Sequence, residues 1–394
     1  MTYLSLAILL LGHGCLWILV VNLLHGAGIP GHWPNRITYA MIPMAIASTL
    51  ALIVGGIRAD WWSWSWPAAV YAATCVGIGL IGLPIVTLVR LLRRDPPGIR
   101  GEVTEVDLAA RLGVETLIGH GPKSRMLRLP GHDSFRLVSS EWSVELPGLP
   151  RSLDQLSLIH LTDLHLAPWH ARAFFEAVMD EAAGWDADLV VITGDLLEDE
   201  SVRDWVEPVL GRVRGRLGTY AILGNHDLFC DLPPLRRAIE AAGVIDLDGR
   251  WTSISIGEGR LTLGGTCAPW GPPLDPATRP EGDCTIVLSH TPDRFPGLAR
   301  MGVDLVLSGH NHGGQIRLPG IGPVLMPSIY SRRYDQGWFS IGDSRLFVGR
   351  GIGGANPLRY NCPIEISRIT LRVPGAARTG PFRAARQGST AGRA

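Results

Sequence analysis

The sequence predicts a layered α/β domain preceded by an α-helical membrane region. Three observations carry that prediction: long apolar runs fill the first quarter of the chain, apolar strands alternate with amphipathic helices beyond Pro150, and several of those strands end in Asp, Asn or His. At 394 residues the chain exceeds one ordinary domain, so at least two units are expected. The formal net charge is zero, which gives no electrostatic reason to expect a nucleic-acid partner. Six scattered cysteines, without the close spacing of a zinc or redox motif, read as reduced and mostly buried thiols.

Residues 1–94 read as the membrane region, with about three helices near 3–24, 37–57 and 68–92. Each run approaches the roughly 20 apolar residues that cross a hydrocarbon core. The first run lacks the basic start of a signal peptide, and Gly12, His13, Gly14 and Asn22 weaken it as a span. Trp61, Trp62, Trp64 and Trp66 form an interfacial aromatic cluster between the second and third runs. Arg90, Arg93, Arg94 and Arg100 flank the last span against Arg58 alone in the preceding loop, which predicts an integral membrane protein with a cytoplasmic C-terminal domain. His13 and His25 are intramembrane ionisable groups, read here as interhelix hydrogen-bonding residues because the spans offer no charged partner.

Asp95, Pro96, Pro97 and Gly98 end the third run. Residues 95–134 read as a connector with one short helix around Val106 to Leu112, and Phe135 to Leu146 alternates as a strand entering the domain at 135–373. The Gly-, Ala-, Arg- and Pro-rich segment 374–394 reads as a disordered tail.

The chemistry sits at the strand ends. Leu156 to Leu161 runs into Thr162, Asp163, Leu164, His165, and Leu189 to Thr193 into Gly194, Asp195. Tyr220 to Leu223 runs into Gly224, Asn225, His226, Asp227. Thr285 to Leu288 ends at Ser289, His290, and Leu305 to Leu307 at Ser308, Gly309, His310, Asn311, His312. Such endings line one carboxyl edge of a sheet, where open α/β sheets bind ligands. Oxygen and imidazole donors without thiolate suit Mn, Fe, Co or Zn. Asp163, His165, Asp195, Asn225, His290, His310 and His312 exceed what one ion uses. They imply two divalent metal ions sharing a carboxylate, the arrangement used for displacement at phosphorus.

These blocks, Asp-x-His, Gly-Asp, Gly-Asn-His-Asp, a single His and Gly-His-x-His, resemble the signature of the calcineurin-like metallophosphoesterase superfamily. The resemblance implies a four-layer α/β/β/α sandwich over roughly Phe135 to Leu371. It implies that Asp163, His165, Asp195 and His312 hold one ion, that Asp195, Asn225, His290 and His310 hold the other, and that Asp195 bridges. His226 would contact the phosphate or protonate the leaving oxygen, with Asp227 orienting it. Asp163-Leu164-His165-Leu166 and His310-Asn311-His312-Gly313-Gly314-Gln315, behind hydrophobic N-terminal segments, are similar to the membrane-associated bacterial branch, associated with phosphodiesters or lipid-linked pyrophosphates. Thr162 stands where relatives often carry Ser.

Gly349, Gly351 and Gly354 match a dinucleotide-binding pattern but lead into Asn356 and Pro357 instead of a helix, so they read as turn residues. Arg332, Arg333, Arg350 and Arg359 are candidates for a second phosphate or lipid head group, with solvated surface as the alternative. Trp169 and Phe229 follow metal motifs and either touch substrate or pack. The expected activity is phosphodiester or pyrophosphate hydrolysis on a lipid-linked or membrane-proximal substrate. A phosphoesterase on soluble nucleotides and a silent metal-binding sensor are the alternatives.

Overall fold

A computed structural model describes residues 3–29, 31–58 and 64–375. Trp61, Trp62 and residues 376–394, where the interfacial cluster is centred and the tail was expected, lie outside the described residues. The chain forms two compact units: Met1–Arg94 with Arg317–Arg333, and Asp95–Ile316 with Tyr334–Ala394.

In the first unit, helices α1 (Tyr3–Gly26), α2 (Trp33–Arg58), α3 (Trp66–Gly77) and α4 (Leu83–Leu92) form three apolar stretches, the third continuous through a π-helical turn at Ile78–Gly82. All three are long and apolar enough to cross a membrane. The buried His13 bridges them: its Nδ1 lies 2.6 Å from the Tyr71 hydroxyl and its Nε2 3.1 Å from that of Thr49. His25 Nε2 meets Thr38 Oγ1 at 3.1 Å. Both histidines therefore make interhelix hydrogen bonds.

The second unit holds two mixed sheets. In chain order its strands begin β1 (Ile99–Asp107), β2 (Arg136–Glu145), β3 (Ser157–Leu161), β4 (Leu189–Thr193), β5 (Thr219–Ile222) and β6 (Ile245–Asp246). They continue β7 (Arg250–Ile256), β8 (Gly259–Thr266), β9 (Cys284–Ser289) and β10 (Leu305–Ser308). Beyond the two short strands β11 (Arg317–Leu318) and β12 (Gly322–Pro323) of the first unit come β13 (Gly337–Ile341), β14 (Ser344–Val348) and β15 (Ile364–Arg372). One sheet has the order β1-β2-β15-β3-β4-β5-β6 and the other β13-β14-β10-β9-β8-β7.

Alternation along the strands builds the layers. Leu158, Leu189, Val191 and Ile222 of the first sheet pack against Leu263, Ile286, Leu305 and Phe347 of the second in one buried core. The opposite side chains of the first sheet, Ile159, Val190 and Ile192, pack with Phe174, Phe175 and Val178 of α5 (Arg172–Ala183) and Leu235 and Ile239 of α6 (Leu232–Ala241). On β13, Trp338 enters the inter-sheet core whereas Phe339 contacts Tyr334, which meets Phe295 at the start of the helix Phe295–Arg300. Helix, sheet, sheet and helix thus form four layers.

The segment expected as connector differs. Residues 99–107 form edge strand β1, paired antiparallel with β2 over its full length, and the helix at Leu108–Leu112 follows. Gly, Glu and Thr on a mostly exposed edge leave no apolar alternation to read. The segment 317–333, expected within the catalytic domain, belongs instead to the first unit.

Candidate metal centre

β3, β4, β5, β9 and β10 all end at the same edge, since β3-β4-β5 run parallel in one sheet and β9-β10 in the other. Each strand delivers its first polar donor one to three residues past its C-terminal end. Asp163, His165, Asp195, His310 and His312 hold φ between 45° and 66°. Non-glycine residues adopt this left-handed region at a cost of about 1–3 kcal/mol each, a strain that the surrounding structure must hold. The strain aims the side chains inward: all five are buried or nearly so.

Glycines provide room. A Cβ at Gly224 would lie 2.1 Å from Asp195 Oδ1, and one at Gly309 would lie 1.8 Å from Thr162 Oγ1 and 2.3 Å from Asp163 Oδ2. Any larger residue would displace a candidate ligand.

Two donor sets converge. Ligand atoms of Asp163, His165, Asp195 and His312 lie within 4.8 Å of one another, as do those of Asp195, His290 and His310. Asp195 is common to both, with Oδ2 3.3 Å from His165 Nε2 and 3.4 Å from His290 Nε2. Imidazole nitrogens approach closely in each set, His165 Nε2 to His312 Nε2 at 3.1 Å and His310 Nδ1 to His290 Nε2 at 3.2 Å. Asn225 Oδ1 joins the second set, 3.0 Å from His290 Nε2. Buried carboxylates and imidazoles whose lone pairs converge fit divalent cations.

The outer contacts fix these donors. The His310 amide donates to both Asp163 oxygens at 3.0 Å, Thr162 Oγ1 donates to Asp163 Oδ2 at 2.9 Å, and the His226 amide donates to Asp195 Oδ1 at 2.8 Å. His290 Nδ1 donates to the Thr193 carbonyl at 2.8 Å, leaving Nε2 for the site. Burial disfavours charge on His165 and His290, yet Asp195 outweighs it and raises their pKa to about 10 and about 9. Burial and the neighbouring His165 charge instead lower that of His312.

Glu198 is the residue that sequence reasoning missed. Its Oε2 accepts from His165 Nδ1 at 2.8 Å and from His226 Nδ1 at 2.7 Å. Burial would raise the Glu198 pKa, but these two imidazoles bring it down to about 2. Asp227, expected to orient His226, faces elsewhere. Its Oδ1 accepts from the amides of Leu196 and Leu197 at 2.9 and 2.8 Å and its Oδ2 from that of Gly224 at 2.8 Å. It ties the β4 and β5 loops together, and burial followed by the Asp195 charge raises its pKa to about 6. Glu198 holds the imidazole instead.

The arginine candidates separate. Arg359 is fully buried, donating to the Gly353 and Arg350 carbonyls at 2.7 and 2.8 Å, with Nη2 3.3 Å from His312 Nδ1. Arg350 forms a forked pair with Glu365 at 3.2 and 3.3 Å. Both guanidinium groups are committed to protein partners, and Arg332 and Arg333 lie in the first unit. The glycine-rich loop after β14 folds onto the Asp163 turn, with Gly353 N donating to the Asp163 carbonyl at 2.8 Å. It is turn structure. Trp169 is buried beneath Lys123, whereas Phe229 is 41% exposed and edge-on to His226 at 5.7 Å. Trp270, which no motif flagged, lies 4.7 Å from the His310 ring.

The arrangement now meets its relatives. Residues 156–314 match the calcineurin-like phosphoesterase family. This segment is a calcineurin-like phosphoesterase domain. An uncharacterized metallophosphoesterase of Bacillus subtilis, YkuE, is 27% identical over 252 residues, covering 60% of this chain and 86% of the relative. Phosphodiesterase YaeI of Escherichia coli is 28% identical over 224 residues, covering 54% of this chain and 81% of that protein. A transmembrane protein with metallophosphoesterase domain from Bos taurus is 27% identical over 269 residues, 59% of this chain and 56% of its own length. With this domain and its buried Asp and His donor set, the chain is a metal-dependent hydrolase of phosphoester bonds.

Proposed function

We propose that this protein is a membrane-anchored phosphodiesterase or pyrophosphatase that uses two divalent cations and acts on a lipid-linked or membrane-proximal substrate. The observation that carries the two-cation reading is Asp195 Oδ2, placed 3.3 Å from His165 Nε2 and 3.4 Å from His290 Nε2, one imidazole from each donor set. Asp163, His165, Asp195 and His312 would hold one cation, and Asp195, Asn225, His290 and His310 the other. When bound, such cations supply Lewis acidity to a phosphoryl group and lower the pKa of water from about 15.7 towards 7.

The chain's own groups do the rest. His226 is half-buried beside the donors, its ring 4.7 Å from that of His165. With Nδ1 donating to Glu198, its Nε2 is the atom that holds or delivers a proton to a departing oxygen. Phe229 and Trp270 flank the two donor sets and would exclude water around the bound ester.

The relative from E. coli named as a phosphodiesterase and the transmembrane relative from Bos taurus support the diester and membrane parts of the reading. The arginines after the third apolar helix, set against Arg58 before it, support a cytoplasmic catalytic unit. The test is hydrolysis of bis(p-nitrophenyl) phosphate beside p-nitrophenyl phosphate by detergent-solubilised protein, with Mn²⁺ or chelator. Chelator-sensitive diester cleavage that Asp195→Asn abolishes is expected. Diester cleavage unaffected by chelator and by Asp195→Asn would overturn the two-cation reading.

A further inference from the structure

The chain leaves the catalytic unit after Ile316, four residues past His312, and returns at Tyr334, and the intervening Arg317–Arg333 forms part of the membrane-helix unit. We propose that this insertion is itself a membrane element, seated in the interfacial layer of a phospholipid bilayer with Leu318 and Leu325 against lipid.

Three contacts join it to the helices. Asn22, 2% exposed near the end of α1, accepts the Met326 amide through Oδ1 at 2.9 Å and donates through Nδ2 to Ser331 Oγ at 3.3 Å. Gly26 closes the same helix against the insertion, where a Cβ would lie 2.5 Å from Ile329 N and Ser328 C. Arg90, in the last turn of α4, donates to the Gly320 carbonyl at 3.0 Å.

An amide in an apolar helix is costly to bury alone, by several kcal/mol in hydrocarbon. Asn22 and the irregular backbone at Met326 satisfy each other, so the sequence of α1 presupposes the insertion. The ends of α1 and α4 therefore lie at one level, the level at which α2 begins. There Trp33 and Tyr39 are 58% and 69% exposed and Arg36 covers the Trp33 ring, the amphipathic makeup of a bilayer interface.

The surface of the insertion fits the same medium. Leu318 and Leu325 are 45% and 53% exposed while Met326 is fully buried, and the segment carries three arginines and no acidic residue, a charge balance suited to a bilayer with anionic head groups. Between insertion and helices lies a cavity of about 240 Å³ lined by Val21, Asn22, His25, Tyr39, Leu325 and Met326. Its position gives the interfacial lipid a place to enter.

The experiment places a nitroxide at Leu318→Cys or Leu325→Cys in full-length protein reconstituted into vesicles of phosphatidylcholine and phosphatidylglycerol, with unsubstituted labelled protein subtracted as background. Glu258→Cys, on the turn after β7, serves as the aqueous reference. Immersion predicts a ratio of oxygen to water-soluble nickel-chelate accessibility severalfold above the reference at both positions. A ratio equal to the reference at both would overturn the proposal. The two positions report independently, so misfolding of one variant, detected by loss of metal-dependent hydrolysis, leaves the other to decide.

Discussion

The two donor sets share Asp195 yet are held differently. His165 donates its Nδ1 proton to the carboxylate of Glu198, whereas His290 donates its own to the neutral carbonyl of Thr193. A carboxylate partner makes an imidazole a stronger base than a neutral carbonyl does. The same Glu198 oxygen also holds His226. In the proposed reading, the half built on Glu198 would couple cation binding to proton delivery, while the half built on Thr193 would only bind.

The largest effect should come from the residue the halves share. Asp195→Asn is expected to lower the content of both cations together, with hydrolysis falling by more than the roughly 10²- to 10⁴-fold typical of losing a general acid. Elemental analysis of purified protein checks this, and retention of one full equivalent would break the picture of a common bridge.

His226→Ala should separate chemistry from cation binding. Both equivalents are expected to remain, with kcat down by about 10²- to 10⁴-fold and the deficit smallest for the best leaving groups. A deficit independent of leaving-group acidity would remove the proton-delivery role.

Glu198→Gln sharpens the asymmetry. It should weaken cation affinity or activity by about 10- to 100-fold, and act on the His165 set while the His290 set stays loaded. Its effect should be less than additive with His226→Ala, because both changes disturb one hydrogen-bonded unit. Full additivity would mean that Glu198 serves the cation alone. Asp227→Asn provides the contrast: it replaces an oxygen that accepts backbone amides by a donor. About 1–3 kcal/mol of stability should be lost, read as a lower Tm, while kcat per folded molecule changes little.

What the sequence displayed were groups next to each other in the chain. Asp163 with His165 and His310 with His312 announce themselves because apolar strands run straight into them. Glu198 does not, since it heads the acidic run Glu198-Asp199-Glu200, which reads as solvated surface until the fold brings it against two imidazoles. Arg350 and Arg359 misled for the opposite reason. Arginine is rarely fully buried, and only the return of β15 beside β2 and β3 encloses one behind His312 and pairs the other with Glu365. The membrane helices were plain from length and hydropathy, but the 317–333 segment carries too few apolar residues in a row to join them. Its membership depends on Asn22, about 300 positions earlier.

The smallest effect tests the half without a carboxylate. Trp270 rests on the His310 ring at 4.7 Å and lies 6.0 Å from that of His290, two members of the donor set that lacks Glu198. Contacts between rings of this kind contribute about 0.5–1.5 kcal/mol beyond area burial, equivalent to roughly two- to tenfold. Trp270→Ala should therefore weaken cation retention or diester KM by that factor and leave the leaving-group dependence unchanged, because the proposed reading assigns proton delivery to the other half. Steady-state kinetics with a series of aryl diesters separates the outcomes. A Trp270→Ala variant whose loss grew with leaving-group basicity would show that the halves are not divided as their outer contacts suggest.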